Sequence, residues 1–257
     1  MRERRSPLWP MDPSDPGFFT RVIGHRGLPG ETPENTLASI RAAARAGADI
    51  VEVDVKTTRD GTLVLMHDQT VDRTTNGSGA VADLTLAEVR ALHAMGEPVP
   101  TLEEALALVD IPLMVDYDQV REARALVPVL RDRAVRQRVM LTGDSAEGHA
   151  LLREAYPDLA IAFSRVGASL REGFWAHPAR IGAQYVNPYH LAVRAPFVTR
   201  ARERGFGVST WTVDRAARMR RLLTYGIDLL ITNRTDVAVR VRSELRAGAV
   251  AAPEVGA

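Results

Sequence analysis

The chain has 257 residues, of which 46% are hydrophobic and 25% charged, so it is long and apolar enough to bury one sizeable core. Thirty-three basic and 32 acidic residues leave a net charge of +1, which excludes a strong overall field for nucleic acid or an anionic membrane. The sequence has no cysteine, which excludes disulfides, thiolate metal sites and a cysteine nucleophile. Its single lysine, Lys56, leaves anion binding mainly to arginine.

The two ends of the chain read as flexible segments. Residues 1–18 begin with basic side chains, but prolines and aspartates interrupt the place where a signal peptide has its apolar region. No run approaches the ~18 consecutive apolar residues of a membrane helix. We therefore interpret 1–18 as a leader and 248–257 as a tail, and we predict a cytoplasmic protein without an integral membrane segment.

From residue 19 to 247, short β-rich runs alternate with amphipathic stretches, which is typical of parallel strands joined by helices. The predicted strands are Arg21–His25, Ile50–Val55, Leu63–His67, Pro112–Tyr117, Val139–Thr142, Ala160–Ser164, Gln184–Asn187, Gly207–Val213 and Leu229–Thr232. The predicted helices are Thr36–Ala46, Glu122–Arg133, Ala146–Ala155, Pro196–Arg204 and Arg215–Tyr225.

Repeated strand–helix units of this number favour an α/β fold, a (β/α)₈ TIM barrel formed as one domain over 19–247. An open doubly wound sheet is the alternative. The turn at Arg59–Gly61 is too short for a helical crossover, so the third strand is expected to return in extended form. The irregular stretch at about 69–100, with a short helix at Thr85–His93, reads as a small insertion after that strand.

Polar side chains stand at the ends of several predicted strands. In a barrel these ends converge on one mouth, so residues far apart in sequence are expected to meet there. The period of two along a strand places Glu52 and Asp54 on one side, opposite the neighbouring valines, and does the same for Asp116 and Asp118. Crowded carboxylates repel one another unless a cation neutralises them, and oxygen ligands suit Ca²⁺ or Mg²⁺. The alternative is that Glu52 and Asp54 pair with arginine at the rim.

Several short motifs resemble, in order, those of the glycerophosphodiester phosphodiesterase family. They are His25-Arg26-Gly27, Pro33-Glu34-Asn35-Thr36, Glu52-x-Asp54-Val55, His67-Asp68 and Asp72-Arg73-Thr74-Thr75-Asn76-Gly77. Trp211-Thr212-Val213 and the segment from Gly226 to Asn233 are similar to the family's later signatures. The resemblance implies a TIM barrel that hydrolyses a glycerophosphodiester, a small molecule, to glycerol 3-phosphate and an alcohol with a divalent metal.

The resemblance also implies roles for particular residues. Glu52, Asp54 and Asp116 would hold Ca²⁺ or Mg²⁺, and His25 and His67 would form the acid–base pair. Arg26 would bind the substrate phosphate. Trp211 would line the substrate pocket, although a tryptophan of the barrel core is an equal reading.

The roles of Glu34 and of the remaining histidines are open from the sequence. Glu34 could ligate the metal, orient Arg26 or cap the helix that follows. His190 lies near a strand end and could reach the mouth. The other three histidines are expected at the surface: His93, His149 and His177.

The fourth predicted strand departs from the family pattern. The family usually has Glu-x-Lys there, with the lysine near the substrate phosphate, whereas this chain has Asp116-Tyr117-Asp118. Asp118 could help bind a second cation or pair with an arginine such as Arg165. It could also mark a barrel that binds without turnover.

Two other functions remain open at this stage. One is a phosphodiesterase of the lysophospholipase-D kind acting on lipid headgroups, and the other is a non-catalytic phosphate- or metal-binding barrel. Nucleic-acid binding is not expected, because the sequence has no basic patch with interleaved aromatic residues.

Overall fold

Eight parallel strands close into a barrel in the part of the chain that the structure, a computed structural model, describes: residues 20–143, 145–168 and 170–250. The strands are, in chain order, β1 (Arg21–Gly24), β2 (Ile50–Thr57), β3 (Leu63–Leu65), β4 (His93–Ala94), β5 (Glu97–Pro98), β6 (Leu113–Asp116), β7 (Val139–Gly143), β8 (Ala160–Arg165), β9 (Tyr185–Pro188), β10 (Gly207–Thr210) and β11 (Leu229–Thr232). β1 pairs in parallel with both β2 and β11, which closes the sheet. The predicted TIM barrel is confirmed, and the open sheet was wrong.

Helices cover the outside of the barrel. They are α1 (Leu37–Arg45), α2 (Leu86–Arg90), α3 (Leu102–Leu108), α4 (Val120–Val129), α5 (Arg133–Arg136), α6 (Ala146–Ala155), α7 (Glu172–Arg180), α8 (Ala195–Glu203), α9 (Ala216–Thr224) and α10 (Thr235–Val250). α10 reaches three residues into the stretch read as a tail. Residues 1–19 and 251–257, which hold the predicted leader and the rest of that tail, lie outside the described residues.

The two faces of β2 show why the barrel forms and why its site lies inside. Val51, Val53 and Val55 pack into the apolar layer beneath the helices, as the sequence predicts. Glu52 and Asp54 point the opposite way, into the barrel. Below them the interior is filled by apolar side chains from successive strands, including Ile23, Ile50, Met114, Met140 and Leu229.

β3 returns antiparallel to β2, as the short turn predicts, with Val55 opposite Leu65. The backbone of Met66 then donates to the carbonyl of Asp54 at 3.1 Å, which brings His67 to the level of the acidic residues. The following stretch packs over its own small core, which includes Val71, Val81 and Val99.

Several predicted boundaries were wrong. β10 ends at Thr210, although the sequence predicted a strand to Val213, because Trp211 makes only an isolated bridge to Tyr189. The helix predicted at Glu122–Arg133 is divided, since Asp132 caps a separate α5. The short helix predicted at Thr85–His93 ends at Arg90, and His93 begins a two-stranded hairpin.

Among the described residues, none of the helices combines the length and apolar character required to cross a bilayer.

Candidate active site

A cleft of about 240 Å³ opens at the carboxyl ends of the barrel strands. It is lined by residues from all eight barrel strands or the segments that follow them, and it contains His25, Arg26, Glu52, Asp54, His67, Asp116, Asp118, Arg165 and Trp211. All seven residues singled out by the sequence for metal, acid–base, phosphate and pocket roles therefore line one cavity. In TIM-barrel enzymes this face carries the active site.

Three carboxylates meet at the floor of this cleft. Glu52, Asp54 and Asp116 each offer an oxygen, and these oxygens lie within 4.8 Å of one another. Glu52 and Asp54 are only 3% and 5% exposed. Burial, followed by the charges of Asp54 and Asp116, raises the pKa of Glu52 well above its usual value. Such a donor set fits a hard divalent cation, whose charge would remove this repulsion.

The loop after β1 holds two of these carboxylates in place. The backbone N–H of Arg26 donates to Glu52 Oε2 at 2.8 Å. The Asn35 side chain both donates to Asp54 Oδ2 at 2.8 Å and accepts from the Asp54 backbone N–H at 3.1 Å. Arg26 and Asn35 both have positive φ angles, 54° and 56°, so the loop is bent specifically to make these contacts.

Arg26 already has carboxylate neighbours. Its Nη1 donates to Glu34 at 3.1 Å, and its Nε lies 3.1 Å from Asp54 Oδ2 without hydrogen-bond geometry. The arginine pairing considered from the sequence is therefore present at Asp54, inside the acidic cluster. Arg26 offsets part of the negative charge of this cluster and also lines the cleft.

Glu34 orients arginines. It accepts from Arg26 and, at 2.7 Å, from Arg73. Burial raises the pKa of Glu34, but the hydrogen bond from Arg73 and the charge of Arg26 outweigh it and bring the pKa below its usual value. The predicted option of a helix cap was wrong, because Thr36 caps α1 by accepting from the Ser39 backbone.

His25 is held by a chain of hydrogen bonds from the last barrel strand. Asn233 donates through Nδ2 to Asp214 at 2.8 Å, so its Oδ1 is the atom that meets His25 Nδ1, also at 2.8 Å. The amide oxygen only accepts, and His25 Nδ1 therefore carries the proton. His25 Nε2 is left as an acceptor facing Glu52 at 4.0 Å. Burial and the nearby Arg26 charge lower the pKa of His25, which favours this neutral form.

His67 has a different environment. Its Nδ1 lies 2.6 Å from Asp68 Oδ1, and Arg73 donates to the same carboxylate at 2.6 Å. The Arg73 hydrogen bond is the main reason that the pKa of Asp68 lies far below its usual value. Asp68 thus stays ionised and holds the His67 ring through Nδ1.

Trp211 fits both roles considered for it. It packs against the apolar interior of the barrel and also lines the cleft. Its Nε1 donates to the Asn187 carbonyl at 2.9 Å, which fixes the ring at the wall.

Asp118 lies at the mouth and is not paired with Arg165 as the sequence suggested. Its Oδ1 lies 3.5 Å from Lys56 Nζ, and its Oδ2 accepts from Gln69 at 2.8 Å. Arg165 instead points into the same cleft from the end of β8. The predicted arginine partner was wrong, because the basic side chain next to Asp118 is a lysine of the neighbouring strand β2.

The other histidines lie outside the cleft lining. Arg218 Nε donates a hydrogen bond to His190 Nδ1 at 3.3 Å. His93 is exposed and His177 half-buried. The prediction that His149 is a surface residue was wrong: it is fully buried between Tyr117 and Phe163, because it occupies the inner face of α6.

Three residues that position the site were not assigned that role from the sequence: Asn35, Asp214 and Asn233. Asn35 and Asn233 belong to motifs quoted for the family resemblance, which was a usable signal. Asp214 follows a strand end, but nothing local distinguishes it from other acidic residues there.

The chain is similar in sequence to known proteins. The sequence profile of the Glycerophosphoryl diester phosphodiesterase family matches residues 25–237. A glycerophosphodiester phosphodiesterase of Caldanaerobacter subterraneus subsp. tengcongensis is 31% identical over 242 residues, covering 86% of this chain and 97% of that protein.

The fold of the chain is similar to that of solved structures. A glycerophosphodiester phosphodiesterase from Agrobacterium tumefaciens superposes with a TM-score of 0.76 at 26% identity, covering 88% of this chain and 100% of that chain. An Oleispira antarctica phosphodiesterase, in complex with its product sn-glycerol-3-phosphate, has a TM-score of 0.80 at 22% identity, covering 87% of this chain and 96% of that one.

The barrel and the cleft at its carboxyl-terminal mouth define a TIM-barrel enzyme of the phosphoric diester hydrolase class. Because the profile covers most of the chain and the relative is similar almost end to end, the chain belongs to the glycerophosphoryl diester phosphodiesterase family.

Proposed function

We propose that this enzyme hydrolyses glycerophosphodiesters to sn-glycerol 3-phosphate and an alcohol, with a divalent cation at Glu52, Asp54 and Asp116. The observation that carries the proposal is the placement of His25 Nε2, as an acceptor, 4.0 Å from a carboxylate of this buried cluster. The product complex of the Oleispira antarctica relative supports the choice of substrate. The cation, Ca²⁺ or Mg²⁺, would polarise a phosphoryl oxygen and acidify a bound hydroxyl.

The two histidines divide the proton transfers according to their surroundings. His25 is kept neutral with Nε2 free to accept, so we assign it as the general base. His67 Nδ1 lies 2.6 Å from the ionised carboxylate of Asp68, which holds the ring at the cleft, so we assign His67 as the general acid that protonates the departing alcohol. Arg26 is proposed to donate to the substrate phosphate, and Trp211 to line the pocket for the organic part of the substrate.

The test is release of sn-glycerol 3-phosphate from glycerophosphocholine by the purified chain. We expect activity with added Ca²⁺ or Mg²⁺, its loss after chelation, and a fall of about 10²-fold or more in kcat for His25→Ala and for His67→Ala. His93→Ala is the matched control, because His93 is exposed and outside the cleft lining. Full activity after exhaustive chelation would show that the metal assignment is wrong.

Release of choline and lysophosphatidic acid from lysophosphatidylcholine tests the lysophospholipase-D alternative, which stays a prediction. The cytoplasmic location also stays a prediction.

A further inference from the structure

Asp118 places a carboxylate on the wall of a cleft that, under the proposed function, must accept an anionic diester. The side chain is 48% exposed and lines the cleft beside the acidic cluster. A fourth carboxylate so close to the substrate would oppose phosphate binding unless its charge were offset.

Both oxygens of this carboxylate have fixed partners. Oδ1 lies 3.5 Å from Lys56 Nζ, and Oδ2 accepts from Gln69 Nε2 at 2.8 Å. Gln69 is itself oriented, because its Oε1 accepts from Arg121 at 3.0 Å and its amino group must then face Asp118. Asp118 is therefore held against the wall by two neighbouring segments.

Lys56 stands behind Asp118 and does not itself line the cleft. It lies two residues after Asp54 on β2, and its side chain is only 4% exposed. Its ammonium also lies 3.4 Å from the Val55 carbonyl. A lysine so deeply buried requires a compensating charge, and Asp118 is the carboxylate in ion-pair contact with it.

We propose that Lys56 is a positioning residue that fixes Asp118 and cancels its charge, so that the cleft accepts an anionic phosphodiester. The inference rests on the proposed function. The chain's only lysine thus acts from β2 on the carboxylate that the segment after β6 presents to the cleft. Lys56 does not touch the substrate in this arrangement; its effect passes through Asp118.

The test is a double-mutant cycle with Lys56→Met, Asp118→Asn and the combined variant. For Lys56→Met we expect the KM for glycerophosphodiesters to rise on the order of tenfold, with kcat changed much less, because an uncompensated carboxylate repels the substrate. Raising the ionic strength should shrink this defect. Adding Asp118→Asn to Lys56→Met should return KM toward the wild-type value.

Arg242→Met is the matched control. Arg242 pairs with Asp49, which directly precedes β2 at the opposite end of the barrel, so its loss should lower the Tm and leave KM unchanged. If Lys56→Met and the combined variant show the same KM, Lys56 has only a structural role and the proposal is overturned.

Two further measurements separate this proposal from its competitors. Glycerophosphocholine and glycerophosphoglycerol should respond alike to Asp118→Asn; a KM increase confined to the choline substrate would mean that Asp118 binds a cationic leaving group, against the proposal. Calorimetric binding of sn-glycerol 3-phosphate should show the same weakening in Lys56→Met and the same rescue. This readout needs no turnover, so it tests the charge pair even if the wild type fails to hydrolyse the diesters.

Discussion

Asn233 decides which nitrogen of His25 faces the cleft. Its amide is oriented by Asp214, which accepts from both the side-chain and the backbone N–H of Asn233 at 2.8 Å. The Asp214 carboxylate determines which end of the Asn233 amide faces His25, and that amide determines which nitrogen of the His25 ring carries the proton. The chemistry of His25 depends on a residue that cannot itself exchange a proton.

We expect Asn233→Leu to lower kcat by at least ~10-fold and to change KM little, because the ring loses the hydrogen bond that selects its tautomer. Nitrogen-15 NMR of the His25 ring should show the tautomers mixed in this variant and one tautomer in the wild type. A variant with normal kcat and mixed tautomers would contradict the role of Asn233.

The ionised side chain of Glu52 destabilises the folded protein until its charge is compensated. Because its pKa is raised, the folded protein resists its ionisation, and Glu52→Gln should increase the Tm in metal-free buffer at neutral pH. The same variant should lose most of the Tm increase that Ca²⁺ or Mg²⁺ gives the wild type. Glu147→Gln on the outer surface of α6 is the control and should alter neither value. An unchanged metal response in Glu52→Gln would count against the cluster as the metal site.

His149 makes the fold sensitive to acid. Burial lowers its pKa to about 4, and neither ring nitrogen has a hydrogen-bond partner among the described residues. Its folded-state pKa lies below the unfolded value of 6.5, so the stability it contributes is present above pH 6.5 and lost as the pH falls through 4. The free energy of unfolding falls by about 3 kcal/mol through this group. Urea unfolding from pH 7 to 4 should show a shallower decline for His149→Leu, and parallel curves would refute this account.

At the scale of elements, the β1–α1 loop does the most to build the site. Gly27 has φ +87°, and a Cβ there would lie 2.2 Å from Ser39 Oγ. Ser39 in turn donates to the Arg26 carbonyl and accepts from the Leu28 backbone, so it ties the loop to α1. The glycine is required because the chain must cross the end of α1 at this distance.

Gly27→Ala should therefore unfold at a lower temperature and bind divalent cations more weakly. The left-handed backbone alone costs ~1–2 kcal/mol, and the contact with Ser39 adds to this. Thermal unfolding with and without the cation measures both effects. Gly61→Ala is a useful comparison, since Gly61 also has positive φ but an added Cβ there meets nothing within 4 Å. Equal losses in the two variants would show that strain alone, and not the contact with Ser39, is responsible.

The elements that the sequence predicted best are those with a single clear pattern. The alternation on β2 and the short return at Arg59–Gly61 each follow from local spacing. α7 was not predicted, since Gly173 and Pro178 interrupt its helical pattern, while its Trp175 is buried by packing against Phe197 and Phe206. Such tertiary contacts override local signals.

The candidate site was predictable to the extent that its residues stand at strand ends. The convergence of Glu52, Asp54 and Asp116 follows from barrel geometry. The partner of Asp118 does not, since either neighbouring strand could supply the cation and only the packing around Lys56 decides between them.

For the whole molecule, barrel closure joins the first strand to the last. The His25 backbone N–H donates to the Thr232 carbonyl at 2.9 Å, and every residue of β1 has a partner in β11. These contacts bridge more than 200 residues, 208 for the pair His25–Asn233. Contacts of such sequence separation carry a large loop-closure entropy, so we expect them to form late in folding.

During refolding, activity should return no earlier than protection of the β1 amides from hydrogen exchange. Pulse-labelling during refolding, with activity sampled in parallel, measures both. Activity in molecules whose β1 amides still exchange freely would contradict this order.

The pairing of β1 with β11 has a consequence for the chain as it leaves the ribosome. Asn233, the residue that sets the protonation of His25, is made 208 residues after it. A nascent chain can already carry His25, His67 and the three carboxylates of the cluster and still lack the hydrogen bond that sets the proton on the proposed base. We therefore expect a nascent chain to stay inactive until Asn233 has left the ribosome and β11 has paired with β1.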